Sequence, residues 1–274
     1  MSRSNQRIVY RLSVVIAILM VLASGMGLLF HDLYRDNALV ASSWYGNDLV
    51  TLIVAAPLFV GAMIWARQGS QRAFLVWMGM LAYTFYNYAF YLFGAAFNSL
   101  FLVYAILYTL SGFALVFGLM SLDAELLLER VQARLPTRWI SAFMVFVAVA
   151  LGGFHVALSL QYLATGQPPA MIDAVGIHTN LIAALDLSMV VSVALLSGVW
   201  LWRRRPWGFV LAVLWNVKGA AYMLALSAAS VSAMVAGPSN DWVQLTLWIP
   251  IGLGCMICSI LLLVYFKPEE APPY

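Results

Sequence analysis

Charge is what this sequence has least of. Only 9% of its 274 residues are Asp, Glu, Lys or Arg. A soluble domain carries roughly 25% charged residues, so this chain cannot coat a water-facing surface. Cysteine is almost absent: the two present, Cys255 and Cys258, sit in one apolar run. That excludes a disulfide-rich scaffold and reads as packing rather than redox or metal chemistry. The 19 glycines follow no period, which excludes collagen. The small excess of 14 basic over 11 acidic residues gives no reason to expect a nucleic-acid partner.

What is present is apolar: 64% of the chain, with a mean hydropathy of +0.92. A helix crossing the hydrocarbon needs about 20 mostly apolar residues. Eight runs qualify, approximately 9–30, 48–66, 73–94, 99–121, 139–161, 181–202, 207–235 and 242–266. The first begins with basic residues, as a signal peptide does, but runs on through Met26–Phe30 and reads as a retained helix. The sequence therefore predicts an all-α polytopic membrane helix bundle with the lipid bilayer as its first partner.

The basic residues set its direction. Arg3, Arg7, Arg11, Arg67, Arg72, Arg130, Arg134, Arg138, Arg203, Arg204, Arg205 and Lys267 all fall on one side of the eight runs. Arg35 alone falls on the other, and Lys218 lies within a run. The positive-inside rule then places both termini in the cytoplasm.

The two halves echo each other. Asp48-Leu49 matches Asp186-Leu187, Trp65 matches Trp202, Arg67 matches Arg204, Trp77 matches Trp215 and Tyr83 matches Tyr222, at offsets of 137 to 139. This predicts two parallel four-helix repeats, residues 1–121 and 139–274, joined by a cytoplasmic linker at 122–138. In the linker, Leu122, Leu126, Val131 and Leu135 alternate with charges, the pattern of a short amphipathic helix ending at Pro136. Such a helix lies on the membrane surface or serves as a solvated connector.

Ionisable groups inside a bilayer are costly and read as functional sites by default. Lys218 lies about 18 Å along its helix from the basic end, and Asp186 about 24 Å along its own. His155 and Tyr222 fall at the Asp186 level. The expectation is an Asp186–Lys218 pair with His155 and Tyr222 as hydrogen-bond neighbours, which either locks two helices together or serves binding, proton relay or coupling. A second group, Tyr83, Asn87 and Tyr91 at i, i+4 and i+8, shares one helix with Tyr86 and Phe90. Tyr104 and Tyr108 repeat the spacing on the next helix. Tyr83 and Asn87 would line a cavity for a small polar, aromatic or isoprenoid ligand, or act as interhelical glue, with Tyr91 in an interfacial aromatic belt. Asp48 would face water at the outer rim. The three histidines, His31, His155 and His178, are isolated, so no metal or cofactor is expected.

The strings Tyr45-Gly46-Asn47-Asp48-Leu49-Val50-Thr51, Asn87-Tyr88-Ala89-Phe90-Tyr91-Leu92-Phe93-Gly94-Ala95-Ala96-Phe97-Asn98 and Arg203-Arg204-Arg205-Pro206-Trp207-Gly208, with Val217-Lys218-Gly219, resemble a family of uncharacterised bacterial integral membrane proteins. The resemblance spans roughly residues 45–220 and implies a bacterial inner-membrane setting; it supplies no catalytic residues. The leading functional expectation is a carrier or binding protein for a small solute or lipid-like molecule, not an enzyme. The alternatives are a membrane-embedded enzyme acting on an isoprenoid or lipid, and a non-catalytic sensor or complex subunit. No D-D-x-x-D run is present to hold a diphosphate through Mg²⁺, which counts against the enzyme.

Overall fold

The computed structural model describes residues 3–30, 32–170, 172, 176 and 179–267. Among them the chain is helical, with no strand beyond a single bridge between Val131 and Phe266. Nine helices follow in order: α1 (Arg3–Leu29), α2 (Ala38–Arg67), α3 (Gln71–Gly94), α4 (Phe101–Met120), α5 (Ala124–Glu129), α6 (Thr137–Thr165), α7 (Leu181–Trp202), α8 (Pro206–Val235) and α9 (Val243–Val264). Seven of them are long and apolar enough to cross a bilayer, as in a multi-pass membrane protein. The two that are not are the short α5 and the 24-residue α3.

Local chemistry sets the ends. Asn37, Ser70, Asp123 and Asn180 each accept a backbone N–H of the helix that follows, satisfying one of its orphan donors. Pro206 opens α8 at a position where its missing N–H costs nothing, and Gly166 ends α6 in the left-handed conformation. Two helices carry a π-helical turn, α2 at Thr51–Ala55 and α7 at Asp186–Val191. In α2 the turn precedes Pro57, which has no N–H to continue the ladder. In α7 the Val190 carbonyl inside the turn accepts the Trp215 indole N–H at 3.1 Å, a side chain taking over a backbone bond.

Packing puts α3 and α8 at the centre. The apolar window of α8 is 67% buried, against 22% for α7 and α9. Helix α1 packs on α2, α2 on α3, α3 on α4, and α4 back on α1. The second half runs α6 on α7, α7 on α8, α8 on α9, and α9 lightly on α6. The halves meet where α8 packs against both α2 and α3, while α3 touches the start of α7 only lightly. Glycines permit the close approaches: a Cβ on Gly46 of α2 would strike the Ala228 backbone of α8, and one on Gly79 of α3 would meet Val217 at 2.6 Å. Small residues at such crossings let backbones approach within van der Waals reach.

The basic segments gather at one end of the bundle. Arg72 donates to the Phe266 carbonyl, Arg130 to Gln71, Arg204 to the Ala133 carbonyl and Arg67 to the Tyr10 hydroxyl at 3.2 Å. At the opposite end, Asp36 accepts from Trp44 and from the Ala96 backbone N–H. Helix α3 therefore runs from one end to the other, starting beside Arg72 and ending at Gly94, just before Ala96.

Two expectations about elements change. The second run begins at Ala38, not near residue 48, because Asn37 caps it there. The linker helix spans only Ala124–Glu129 and ends well before Pro136. The chain turns there to bond the C-terminal segment, Gln132 N–H to the Tyr265 carbonyl and Lys267 N–H to the Arg130 carbonyl. Leu127 and Leu135 are its buried apolar residues, while Leu126 is exposed.

Candidate functional site

Four helices converge on Asp186, the first residue of the π turn in α7. Its Oδ1 accepts the Tyr86 hydroxyl of α3, and its Oδ2 lies 3.0 Å from His155 Nε2 of α6. Lys218 of α8 does not pair with it directly. Among the described residues, no carboxylate oxygen lies within 4.0 Å of the Lys218 nitrogen. That nitrogen instead sits 3.3 Å from the centroid of the Tyr86 ring and 5.3 Å from that of Tyr222. Tyr86 and Tyr222 meet edge to face at 4.8 Å, and Phe90 stacks on Tyr222.

The expected Asp186–Lys218 pair is thus corrected to a relay of contacts. Asp186 bonds His155 and Tyr86, and Tyr86 offers its π face to the ammonium, an attraction that strengthens when desolvated. The reason is geometric: Tyr86 meets Lys218 with the face of its ring and Asp186 with its hydroxyl, so both groups are held against one side chain rather than against each other. His155 keeps its expected role as a hydrogen-bond neighbour of Asp186. Tyr222 meets Lys218 with its ring. Asp186 and Lys218 are 9% and 8% exposed, and His155 is 1% exposed. His155 Nδ1 is buried without a hydrogen-bond partner.

A second buried carboxylate, Asp48, stands in α2 just before that helix's own π turn. Asp48 of α2, expected at a wet rim, is 2% exposed. Its oxygens accept the hydroxyls of Tyr34, from the segment between α1 and α2, and of Tyr91 of α3, the latter at 2.8 Å. The correction follows from the earlier start of α2, which places Asp48 about 15 Å inside that helix. Tyr91 accordingly leaves the predicted aromatic belt for the interior. Burial, and next the nearby Asp48, hold the Tyr34 phenol well above its usual range, so it remains a proton donor. Gly27 of α1 leaves room for this contact, since a Cβ there would overlap both the Asp48 carboxylate and the Tyr34 hydroxyl. Trp44, Tyr88 and Tyr104 pack around Tyr91.

Tyr83 and Asn87 are fully buried and bonded. Asn47 donates to Asn87 at 2.9 Å, Thr51 to Asn47 at 3.3 Å, and the Thr51 and Tyr83 hydroxyls lie 3.0 Å apart. This chain of bonds knits α2 to α3, the interhelical glue that was one of the two expectations for Tyr83 and Asn87. Tyr104 and Tyr108 do meet α3 as expected, with Tyr108 stacked on Phe85 at 4.5 Å. His31 and His178 lie outside the described residues, and no cluster of three metal-capable side chains occurs among the described ones. The free thiols of Cys255 and Cys258 are buried.

The best-formed clefts open at the basic end, away from these centres. One of about 490 Å³ is lined by Asp123, Glu125, Trp200, Arg205 and Trp207 among others. A smaller one lies between Leu135, Leu201 and Phe209.

Three residues of the site escaped the sequence reading: Tyr86, Asp48 and Tyr34. For Asp48 the signal was present, in its alignment with Asp186 across the repeat and in Asn47 and Thr51 beside it. For Tyr86, periodicity placed it next to a polar stripe and gave no partner. Comparisons of the chain with family models, with curated proteins and with solved structures returned no match.

Proposed function

We propose that this protein is an integral membrane carrier or binding protein for a small solute or lipid-like molecule, with Asp186, His155, Tyr86 and Lys218 as its polar centre. One observation carries the reading. A carboxylate and an ammonium are both held inside the bundle without a direct ion pair between them, each against the same tyrosine. If their only service were to lock helices, direct contact would be the stable arrangement, because an unpaired buried charge is costly. Asp186 is held by Tyr86 and His155, and the Lys218 ammonium, with no carboxylate against it among the described residues, is the group left to meet a ligand.

The membrane setting that goes with this reading is an eight-span bundle. Helix α3 supplies the eighth crossing: about 36 Å long, it joins the two ends of the bundle and is shielded from lipid by its neighbours, so Tyr and Asn replace apolar side chains along it. The matching neighbour order in the two halves supports a tandem repeat, as do the central places of α3 and α8 and the π turns beside Asp48 and Asp186. Parallel repeats with a site at their interface are a transporter architecture. The gathered arginines support cytoplasmic termini, and a bacterial inner membrane is the setting proposed.

Thermal stability of the purified protein against a library of metabolites and lipids tests the reading, with wild type compared with Lys218→Met. A ligand that raises the melting temperature of wild type alone is the expected result. Equal responses of both proteins across the library would leave the centre structural.

A further inference from the structure

We infer that the centre takes up a proton and a small organic anion together, the proton on the His155–Asp186 pair and the anion beside Lys218. The inference rests on the carrier reading and names the ligands of the same site.

The donor set decides the cation. A sodium or calcium ion needs roughly six oxygen ligands, and Asp186 has already given one oxygen to the Tyr86 hydroxyl and the other to His155 Nε2. Imidazole does not suit such hard cations. A transition metal would need a third ligand, and no cluster of three metal-capable residues exists among the described ones. What a carboxylate–imidazole pair holds readily is a proton. His155 Nε2 is committed to Asp186, and its Nδ1, buried without a hydrogen-bond partner, is the nitrogen the pair has not used.

Charge decides the partner. The groups facing Asp186 and Lys218 come from every helix around them: Tyr86 from α3, His155 from α6, Asp186 from α7, Lys218 and Tyr222 from α8, and the Cys255 thiol of α9, against Gly219. With Asp186 ionised, Lys218 an ammonium and His155 neutral, the net charge is zero. One added proton leaves an excess positive charge in a medium that solvates it poorly. An anion drawn to the ammonium restores neutrality. Tyr86 and Tyr222 give that anion aromatic walls, so a flat carboxylate fits better than a hydrated inorganic ion.

Access differs between the two carboxylates. Asp186 is 9% exposed, whereas Asp48 is 2% exposed. The α2–α8 contact is extensive, and its counterpart between α3 and α7 is light. Entry is therefore on the α3–α7 side, next to a π turn, a local irregularity of a kind often found at functional sites.

Calorimetry with benzoate and acetate in buffers of different ionisation heat counts the protons taken up per anion bound. For wild type we expect about one proton per anion, tighter binding of benzoate than acetate, and no difference between sodium and potassium salts. Asp186→Asn and His155→Gln should bind benzoate without proton uptake. Lys218→Met should bind it at least tenfold more weakly, with size-exclusion and circular dichroism profiles matching wild type. Binding without proton uptake, unchanged uptake in Asp186→Asn, dependence on sodium, or no binding of either probe would overturn the inference. A Lys218-dependent ligand found in the library would then leave the carrier reading standing; none at all would remove both.

Discussion

Tyr86 touches both Asp186 and Lys218: its hydroxyl donates to Asp186, and its ring centroid lies 3.3 Å from the Lys218 nitrogen. The two contacts use different parts of one side chain and separate by mutation. Tyr86→Phe keeps the ring and removes the hydroxyl; it should lower stability by about 1.5–3 kcal/mol, the range for a hydrogen bond to a charged group. Tyr86→Leu removes both and should lower it further. Chemical or thermal unfolding in detergent checks the order, and a Tyr86→Phe protein as unstable as Tyr86→Leu would mean that the ring contributes nothing to holding Lys218.

The Asp48 centre predicts a purely structural response. Replacing Tyr91 by Phe leaves Asp48 with one phenol donor fewer, and Asp48→Ala leaves two buried hydroxyls without their acceptor. Each orphaned group costs about 1–3 kcal/mol, so Asp48→Ala should be the more damaging change. Melting curves of the three proteins test the ranking. Unlike changes at Lys218, neither should alter ligand selectivity.

Close packing at the α2–α8 crossing gives a steric prediction with its own control. In Gly46→Ala the new methyl meets Ala228 backbone, which cannot move aside as a flexible side chain would. Overpacking of this kind costs typically 1–3 kcal/mol. In Gly61→Ala, on the same helix, the methyl meets nothing within 4 Å, and stability should hold or rise slightly. Comparable losses at both sites would contradict the crossing.

Topology is open to labelling, because the native thiols are both buried and should stay silent to a membrane-impermeant maleimide. Cysteine at Gln68, beside the basic end of α2, should label only from the cytoplasmic face of oriented vesicles. Cysteine at the exposed Phe97, after α3, should label only from the opposite face. Labelling of both from one side would overturn the proposed eighth crossing by α3 and with it the even count that parallel repeats require.

Much of the architecture was legible in the sequence because lipid imposes a one-dimensional rule. A segment must be apolar for about 20 residues to cross, and arginines accumulate on one side. Both are counted without knowing the fold. The same rule fails for α3, whose Tyr83, Tyr86, Asn87 and Tyr91 lower its hydropathy. Its burial by neighbouring helices, not its composition, fits it to the bundle interior. Sequence also singled out Lys218, Asp186, His155, Tyr83 and Asn87, since each is a polar group at a depth where water is absent.

Composition and spacing alone thus determined that the chain is a helical membrane protein and which side chains are costly to keep inside it. Only tertiary structure decided who meets whom: that Asp186 bonds His155 and Tyr86 rather than Lys218, and that Asp48 is buried against Tyr34 and Tyr91 rather than facing water. Depth along a helix is fixed by a rise of about 1.5 Å per residue. The partner across the gap depends on which faces of two helices turn toward each other, and that is set by the packing of α3 and α8 against their neighbours.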